Sequence, residues 1–382
     1  MIRAVQLSEE LSVLNLLPLK TCILLAALCS LAVTTGFTHV KGQEVTGQED
    51  KAQQEKGQQD KAQKVTGKES EASGSAESSL QFIAPKPIEM LIGVRLTPAD
   101  LNMLSTIVTT VFPTDWPEQK VEVVEVSVPP AFNHRFRDLP GGNKQLLLQS
   151  AFLPAGSPIE ATIKVRIEKS HTVGPTDTTQ FVRPKRLSRE VKIFTGNSPY
   201  IETTSSEVKK IVREIDAKEP ETEWQRVEML YDWVRDNIVY TRGDLKSVRQ
   251  AIKDKTGDCE EMTSTFVALC RAADVPARCV WIPNHCYPEF YLEDAEGNGY
   301  WFPCQAAGTR NFGSMPEYLP ILQKGDRFKV PEDKDLLRYL NDFVKSQERY
   351  PQGAAKPKVE FIRKLLGDAA NLPAPDEGAE QR

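Results

Sequence analysis

The stretch TGDCEEMTSTFVALC, residues 256–270, places a cysteine at the start of a helical pattern. Asp258 and Glu261 have the spacing of a capping box, in which two side chains satisfy free backbone amides at a helix N-terminus. Cys259 is then the first helical residue, and its sulfur lies at the positive end of the helix. Free N–H groups there stabilise a thiolate and can donate to an oxyanion. The pattern therefore favours a reactive thiol suited to acyl transfer.

The rest of this segment predicts a helix buried within a domain. Its apolar residues recur at helical spacing, at Met262, Phe266, Leu269, Cys270 and Ala273. A cysteine in such a helix can also be a small packing residue without reactivity. Cys270, in the middle of the apolar face, fits that alternative better than Cys259 does.

A nucleophilic thiol needs a base, and the one histidine that follows in the sequence is His285. Alternation and turn residues predict three strands, at residues 277–282, 285–293 and 299–305. Pairing of Glu293 with Gly299 would place His285 one diagonal step from Gln305, about 7–8 Å between Cα atoms. The sheet is thus expected to bring His285 and Gln305 to one end, where the helix of Cys259 could meet them.

The sequence before this segment is first β-rich and then helical. Short alternating runs predict strands at residues 120–128, 144–153, 160–171 and 189–194, with a loop over 129–143. They indicate a small antiparallel sandwich that acts as a structural or recognition module. His134 and His171 lie in this region without ligand-type neighbours, so no metal role is expected for them. Helices are predicted over residues 204–215 and 221–238.

Three separated motifs resemble the transglutaminase-like superfamily: GDCEEMTSTFVALCRAADVPARCV, HCYPEFY and YWFP. They follow the order of the family pattern and cover about residues 200–308. The resemblance implies a papain-like α+β core with Cys259 as nucleophile and His285 as general base and acid. It also implies structural roles for Arg271, Pro276 and Arg278.

One position departs from the family pattern, because Gln305 stands where the third catalytic residue is usually Asp. An amide oxygen accepts the imidazole N–H but supplies no charge to stabilise the imidazolium. Papain-like enzymes work with a side-chain amide in this role, so catalysis remains the leading expectation. Asp326 could replace the missing carboxylate if a loop returns to the site.

The resemblance implies a bacterial-type thiol enzyme that acts on protein or peptide amide bonds through a Cys-His dyad. Release of the acyl-enzyme by water gives a peptidase or deamidase, and release by an amine gives cross-linking. Bacterial-type members are commonly closer to peptidases, which favours hydrolysis. The alternative is a non-catalytic binding module that has kept the fold and lost the third catalytic residue.

Residues 21–37 form an uncharged apolar run after Lys20, which is typical of a secretory signal. Ser30 and Ala32 could provide a cleavage site. An uncleaved anchor is the alternative, because 17 residues are near the lower limit for spanning a bilayer. Leu28 before Cys29 disfavours a lipoprotein signal. We therefore expect a periplasmic, cell-surface or extracellular protein, with a possible membrane tether through this segment.

No metal or other cofactor is expected. Five cysteines lie between residues 259 and 304, but none has C-x-x-C spacing and one histidine is available among them. Buried free thiols are the default expectation for these cysteines. A disulfide between Cys279 and Cys286, which would lie nearly opposite one another across a turn, is the alternative. The net charge of −5 gives no reason to expect nucleic acid as a partner. A protein or peptide substrate is expected, and the oligomeric state is left open.

The predicted fold class is α+β, with a β-sandwich-like domain followed by a transglutaminase-like core that combines a cysteine-bearing helix with an antiparallel sheet. Short apolar patterns also predict a helix carrying Leu336, Leu337, Leu340 and Phe343, and another over residues 359–366. The predicted segments are a signal peptide or anchor (1–42), a disordered low-complexity linker (43–81), the sandwich (82–196), the transglutaminase-like domain (197–347) and a mostly disordered tail (348–382).

Overall fold

The computed structural model describes residues 79–347 and 354–371, which all belong to one compact unit. Its helices are α1 (Arg189–Lys192), α2 (Ser206–Asp216), α3 (Glu223–Asn237), α4 (Val248–Asp254) and α5 (Cys259–Ala272). Its strands are β1 (Gln81–Thr97), β2 (Met103–Phe112), β3 (Gln119–Ser127), β4 (Asn133–Leu139), β5 (Asn143–Leu153), β6 (Ile159–Val173), β7 (Val239–Tyr240), β8 (Thr256–Gly257), β9 (Ala277–Ile282), β10 (His285–Glu293), β11 (Gly299–Gln305), β12 (Asn311–Phe312), β13 (Gln323–Lys324), β14 (Phe343–Lys345) and β15 (Lys358–Leu366).

Two four-stranded antiparallel sheets share one hydrophobic cluster. Their strand orders are β15-β1-β6-β3 and β14-β2-β5-β4. Every second residue of β1 from Met90 to Leu96 is fully buried, as expected for a strand with one face against a core. The cluster combines these side chains with others from β5, including Leu146 and Leu148. Apolar burial between the two sheets is therefore the main stabilising contact of this region.

A separate five-stranded antiparallel sheet has the strand order β12-β11-β10-β9-β13. Helix α5 packs on β10 and β9 and also contacts α2, α3 and α4. One core cluster joins Val208 and Val227 on the outer helices, Phe266 on α5 and Phe290 on the sheet. Helices on one face of an antiparallel sheet confirm the predicted α+β class.

The predicted strands 277–282, 285–293 and 299–305 are confirmed as β9, β10 and β11, and Glu293 pairs with Gly299 as expected. A Cβ on Gly299 would lie 1.7 Å from the Tyr291 hydroxyl oxygen, so glycine leaves room for that ring. Asn284 forms the β9–β10 turn with a φ of 62°, a left-handed conformation that asparagine tolerates. The turns thus set the register that carries the site.

Several predictions in the β-rich region were wrong in detail. Residues 189–194, predicted as a strand, contain helix α1 because the Ser188 hydroxyl accepts a hydrogen bond from the Val191 amide and caps a helical turn. The predicted loop over 129–143 contains strand β4, whose side chains are mostly exposed and give little periodic signal. Pairing with β5 holds β4 in place.

The predicted helix over residues 359–366 was also wrong, because this segment is strand β15 and pairs with β1 from Glu89↔Leu366 to Thr97↔Lys358. The predicted helix carrying Leu336 and Leu340 does not form either, and Phe343 begins β14, which pairs with β2. Strands from beyond residue 340 therefore complete both four-stranded sheets. The domain boundaries at residues 196 and 347 stay predictions.

The predicted signal and nearly all of the predicted linker lie outside the described residues. Within residues 79–347 and 354–371, no helix has both the length and the hydropathy needed to cross a membrane.

Candidate active site

The start of α5 is built as the sequence predicts. The Asp258 carboxylate accepts a hydrogen bond from the Glu260 amide at 2.9 Å, and the Glu261 carboxylate accepts one from the Asp258 amide at 2.8 Å. The capping box is confirmed, and Cys259 is the first residue of the helix. The thiol therefore lies at the N-terminus of α5, where the helix dipole favours negative charge.

Gly257 makes this cap possible. It lies in β8, which pairs in parallel with β7, and a Cβ at this position would come within 2.4 Å of the Glu261 Cβ. The Glu261 carboxylate also accepts a hydrogen bond from the Lys246 amide at 2.8 Å. Burial raises the pKa of Glu261, and its hydrogen bonds to backbone amides oppose that shift. The glutamate is thus a buried part of the cap and does not face solvent.

His285 is the first residue of β10, and Gln305 is the last residue of β11. The His285 Nε2 and the Gln305 Oε1 are 3.0 Å apart. Because the amide oxygen accepts, the imidazole donates from Nε2. The backbone carbonyl oxygen of Gln305 accepts hydrogen bonds from the Tyr231 hydroxyl at 2.7 Å and from Arg235 at 3.2 Å. Helix α3 thereby holds the residue that orients the histidine.

The beginning of β10 lies against the beginning of α5. The Cys286 Sγ donates to the Cys259 carbonyl oxygen at 3.5 Å, and the Thr263 hydroxyl donates to the Cys286 carbonyl oxygen at 3.2 Å. These contacts bring His285, the neighbour of Cys286, to the helix end that carries Cys259. Cys259, His285 and Gln305 are 8%, 4% and 7% exposed, so the site is nearly closed to solvent.

Asp326 does not take the place of the missing carboxylate. It is fully buried and forms a bidentate ion pair with Arg271 at 2.7 and 3.0 Å. Arg271 also donates to the carbonyl oxygens of Ala277 and Gly196. This arginine therefore ties α5 to β9 and to the residues before α2, which is a structural arrangement. Pro276 accepts a hydrogen bond from the Tyr291 amide at 2.8 Å.

A buried charge network surrounds Glu289 of β10. Arg278 pairs with Glu289 at 2.7 Å, and Lys324 pairs with Glu289 at 2.6 Å and with Glu118 at 2.5 Å. Burial acts to raise the pKa of Glu118, but the charges of Lys324 and Lys169 outweigh it and the pKa is lowered. Sequence reasoning missed Glu118 and Lys324, because neither lies in a local motif.

Arg338 is a third residue that the sequence did not reveal. Its Nη2 donates to the Glu260 carbonyl oxygen at 3.0 Å, and its guanidinium lies 5.2 Å from the centre of the Trp281 ring. The side chain is buried beside the first turn of α5. A single arginine in an irregular segment carries no sequence signal for this contact.

The remaining cysteines of the described chain are buried and free of disulfides. Cys279 and Cys286 lie one diagonal step apart on paired strands, since Pro288 faces Cys279 and Trp281 faces Cys286, and no disulfide joins them. Burial raises the pKa of Cys270, Cys279 and Cys304, so these thiols are protonated near neutral pH.

The two histidines of the β-rich region lie away from this site. His171 packs against Tyr318 with ring centres 3.8 Å apart and the rings tilted by 36°, and His134 lies on β4. Among residues 79–347 and 354–371, no group of three or more His, Cys, Asp or Glu side chains is arranged to hold a metal ion.

The fold and the site together define an α+β protein whose candidate nucleophile begins a buried helix and whose histidine begins the facing strand. Residues 209–306, which include both, match the family model of the transglutaminase-like superfamily. This part of the chain is therefore a transglutaminase-like core, of the kind that thiol enzymes use.

Two of the solved structures that match the chain are similar to it at low identity. One is a candidate cysteine protease from Cytophaga hutchinsonii, with 16% identity, a TM-score of 0.48, and coverage of 74% of this chain and 99% of that one. The other is a candidate protease from Parabacteroides distasonis, with 12% identity, a TM-score of 0.25, and coverage of 56% and 42%. Comparison with curated proteins gave no significant match.

Proposed function

We propose that the protein is an exported thiol enzyme that acts on protein or peptide amide bonds, with Cys259 as nucleophile and His285 as general base and acid. The observation that carries this proposal is the 3.0 Å contact between His285 Nε2 and Gln305 Oε1, made at the end of the sheet that adjoins the start of α5. The match of residues 209–306 to the transglutaminase-like superfamily supports the same roles.

The hydrogen bond to Gln305 assigns the two ring nitrogens different tasks. Since Nε2 donates to the amide oxygen, Nδ1 is the nitrogen that exchanges a proton with the Cys259 thiol. The thiolate attacks the substrate carbonyl carbon, and the backbone N–H of Cys259 contributes to stabilising the oxyanion. His285 then protonates the leaving amine as the C–N bond breaks, which leaves an acyl-enzyme on Cys259.

Water is the acceptor that the site favours. Cys259 is 8% exposed, so a small molecule reaches the acyl-enzyme more easily than a side-chain amine carried by a second protein. Hydrolysis regenerates the thiol and releases an acid. We therefore propose peptidase or amidase activity ahead of cross-linking.

Gln305 positions the imidazole without adding charge. In a site with a carboxylate at this position, the negative charge would stabilise the imidazolium that forms during catalysis. Here the imidazolium lacks that stabilisation, so we expect a thiolate–imidazolium pair that is less stable than in family members with Asp. Gln305 is thus a positioning residue in this proposal.

The first test is the pH dependence of thiol labelling. The chain without residues 1–42 is treated with an iodoacetamide probe between about pH 5 and 9, and the labelled cysteines are located by mass spectrometry. We expect Cys259 to react well below the usual thiol pKa of about 8.5. His285→Ala should remove this reactivity, whereas the matched control His171→Ala should retain it.

A silent Cys259, or one that follows an ordinary thiol titration in both variants, would contradict the proposal and favour the non-catalytic binding module. If Cys259 is reactive, cleavage of a fluorogenic casein substrate measures hydrolysis. Incorporation of a dansylated primary amine into casein measures acyl transfer. Release of peptides without amine incorporation supports the peptidase assignment.

Export rests on the composition of residues 21–37. Expression of the full chain in a bacterial host, followed by fractionation and N-terminal sequencing, tests it. A mature N-terminus shortly after Ala32 supports a cleaved signal, and an intact chain in the membrane fraction supports an anchor. An intact chain in the cytosol contradicts export.

A further inference from the structure

The residue after the catalytic histidine is a second cysteine, and it adjoins the proposed nucleophile. The Cys286 Sγ lies 3.5 Å from the Cys259 carbonyl oxygen, and its thiol is hydrogen-bonded with the Cys259 side chain. Burial first, and then this hydrogen bond, raise the pKa of the Cys286 thiol. The pair thus combines a thiol at a helix N-terminus with a protonated, buried thiol beside it.

We infer that Cys286 is a resolving thiol for Cys259, so that hydrogen peroxide or a related hydroperoxide converts the pair into a disulfide. The inference rests on the proposed function only in requiring a reactive Cys259 thiolate. It adds an oxidative modification site that blocks the nucleophile reversibly. A role in packing alone would require no second sulfur at this position.

The chemistry balances in two steps. The Cys259 thiolate attacks one peroxide oxygen, the O–O bond breaks, and the departing hydroxide takes up a proton to become water, which leaves a sulfenic acid on Cys259. The Cys286 sulfur then loses its proton and attacks the sulfenic sulfur. The S–O bond breaks, the S–S bond forms and a second water leaves. Two thiols are oxidised and one peroxide is reduced.

The other buried cysteines are placed less well for this role. Cys270 lies eleven residues further along α5, which is about 16 Å along the helix axis. Cys279 is on β9 opposite Pro288, two positions from Cys286 on the paired strand. Cys304 is on β11 beside Phe312 of β12. The contact with Cys259 therefore singles out Cys286.

The disulfide has a clear functional consequence. It consumes the thiolate that attacks the substrate, and a thiol reductant restores it. Without Cys286, the sulfenic acid lacks its resolving thiol and proceeds to sulfinic and sulfonic acids, which such reductants do not reverse. Cys286 would thus protect the enzyme from permanent loss of its nucleophile.

The experiment follows oxidation of the reduced protein by stoichiometric hydrogen peroxide. Digestion after Glu261 separates Cys259 from Cys270, and digestion after Trp281 and Tyr291 separates Cys286 from Cys279 and Cys304. We expect a cross-linked peptide containing Cys259 and Cys286, with the loss of both thiol hydrogens. Cys259 labelling should fall at least about tenfold on oxidation and return after dithiothreitol.

Cys286→Ala and Cys286→Ser should give irreversible loss of Cys259 labelling, while the matched control Cys279→Ala should behave as wild type. Wild-type protein that passes directly to sulfinic acid, or forms no Cys259–Cys286 peptide while Cys259 is labelled normally, would overturn this inference alone. If reduced Cys259 does not react with iodoacetamide, the proposed function fails instead. The wild-type result decides the question even if the Cys286 variants fold poorly.

Discussion

Substitution of Asp326, which forms an ion pair with Arg271, tests whether this carboxylate belongs to the candidate active site or has a structural role. Asp326→Asn and Asp326→Ala remove the charge that compensates a fully buried guanidinium, while His285 and Gln305 are left unchanged. If Asp326 is a structural counterion, these variants should lose stability and keep the pH dependence of Cys259 labelling.

The expected loss follows from the geometry. Removing one partner of a buried ion pair costs about 3–5 kcal/mol, because the remaining charge is desolvated without compensation. Arg271 keeps its hydrogen bonds to the carbonyls of Ala277 and Gly196, so we expect the lower end, about 3 kcal/mol. At about 2–4 °C per kcal/mol, the melting temperature should fall by roughly 6–12 °C.

Urea unfolding followed by tryptophan fluorescence measures this loss, and iodoacetamide labelling at about pH 6 measures site chemistry on the folded protein. The double variant Arg271→Met with Asp326→Leu removes the isolated charge and should cost only about 1–2 kcal/mol, mainly from carbonyls left without a donor. Asp232→Asn breaks a half-exposed pair with Arg310 and should cost less than about 1 kcal/mol.

The reasoning would be refuted if Asp326→Asn retained wild-type stability and shifted the labelling of Cys259 to higher pH. That result would make Asp326 the acidic member of the site in solution. Equal destabilisation by the single and double variants would also contradict the argument from an uncompensated buried charge.

Three further predictions concern the cap, the imidazole partner and a buried lysine. Gly257→Ala should cost about 1–3 kcal/mol in urea unfolding and slow Cys259 labelling, because its Cβ would lie 2.4 Å from the Glu261 Cβ; an unchanged protein would contradict this steric argument. Gln305→Glu keeps the side-chain length and adds a charge that favours the imidazolium, so the labelling midpoint of Cys259 should move down by about one pH unit, whereas Gln305→Ala should slow labelling at about pH 6 by at least about tenfold. Burial lowers the pKa of Lys169 to about 8, so the cost of burying its charge is complete below that pH and is relieved as pH rises toward the unfolded value. The free energy of unfolding of wild type relative to Lys169→Met should therefore rise by about 2–3 kcal/mol between about pH 7 and 10.5, and a difference independent of pH would show that the ammonium is not destabilised.

Local patterns in the sequence determined the part of the protein that presents the candidate nucleophile. The capping residues Asp258 and Glu261 lie within one helical turn of Cys259, so the start of α5 could be read without knowing the rest of the fold. The bounds of β9, β10 and β11 were also predictable, because short turns and alternating side chains fix both the strands and the pairing of Glu293 with Gly299.

Contacts between distant segments decided the rest. The sequence of residues 359–366 by itself predicts a helix. The segment forms strand β15 because it pairs with β1, more than 260 residues earlier in the chain. The direct contact of His285 with Gln305 depends on the length of the glutamine side chain. It also depends on the Tyr231 hydroxyl, which holds the backbone carbonyl of Gln305. The choice of Arg271 as the partner of Asp326, and of Cys286 as the neighbour of Cys259, likewise depends on how the sheet packs on α5. These are distances between groups far apart in the chain, and only tertiary packing sets them.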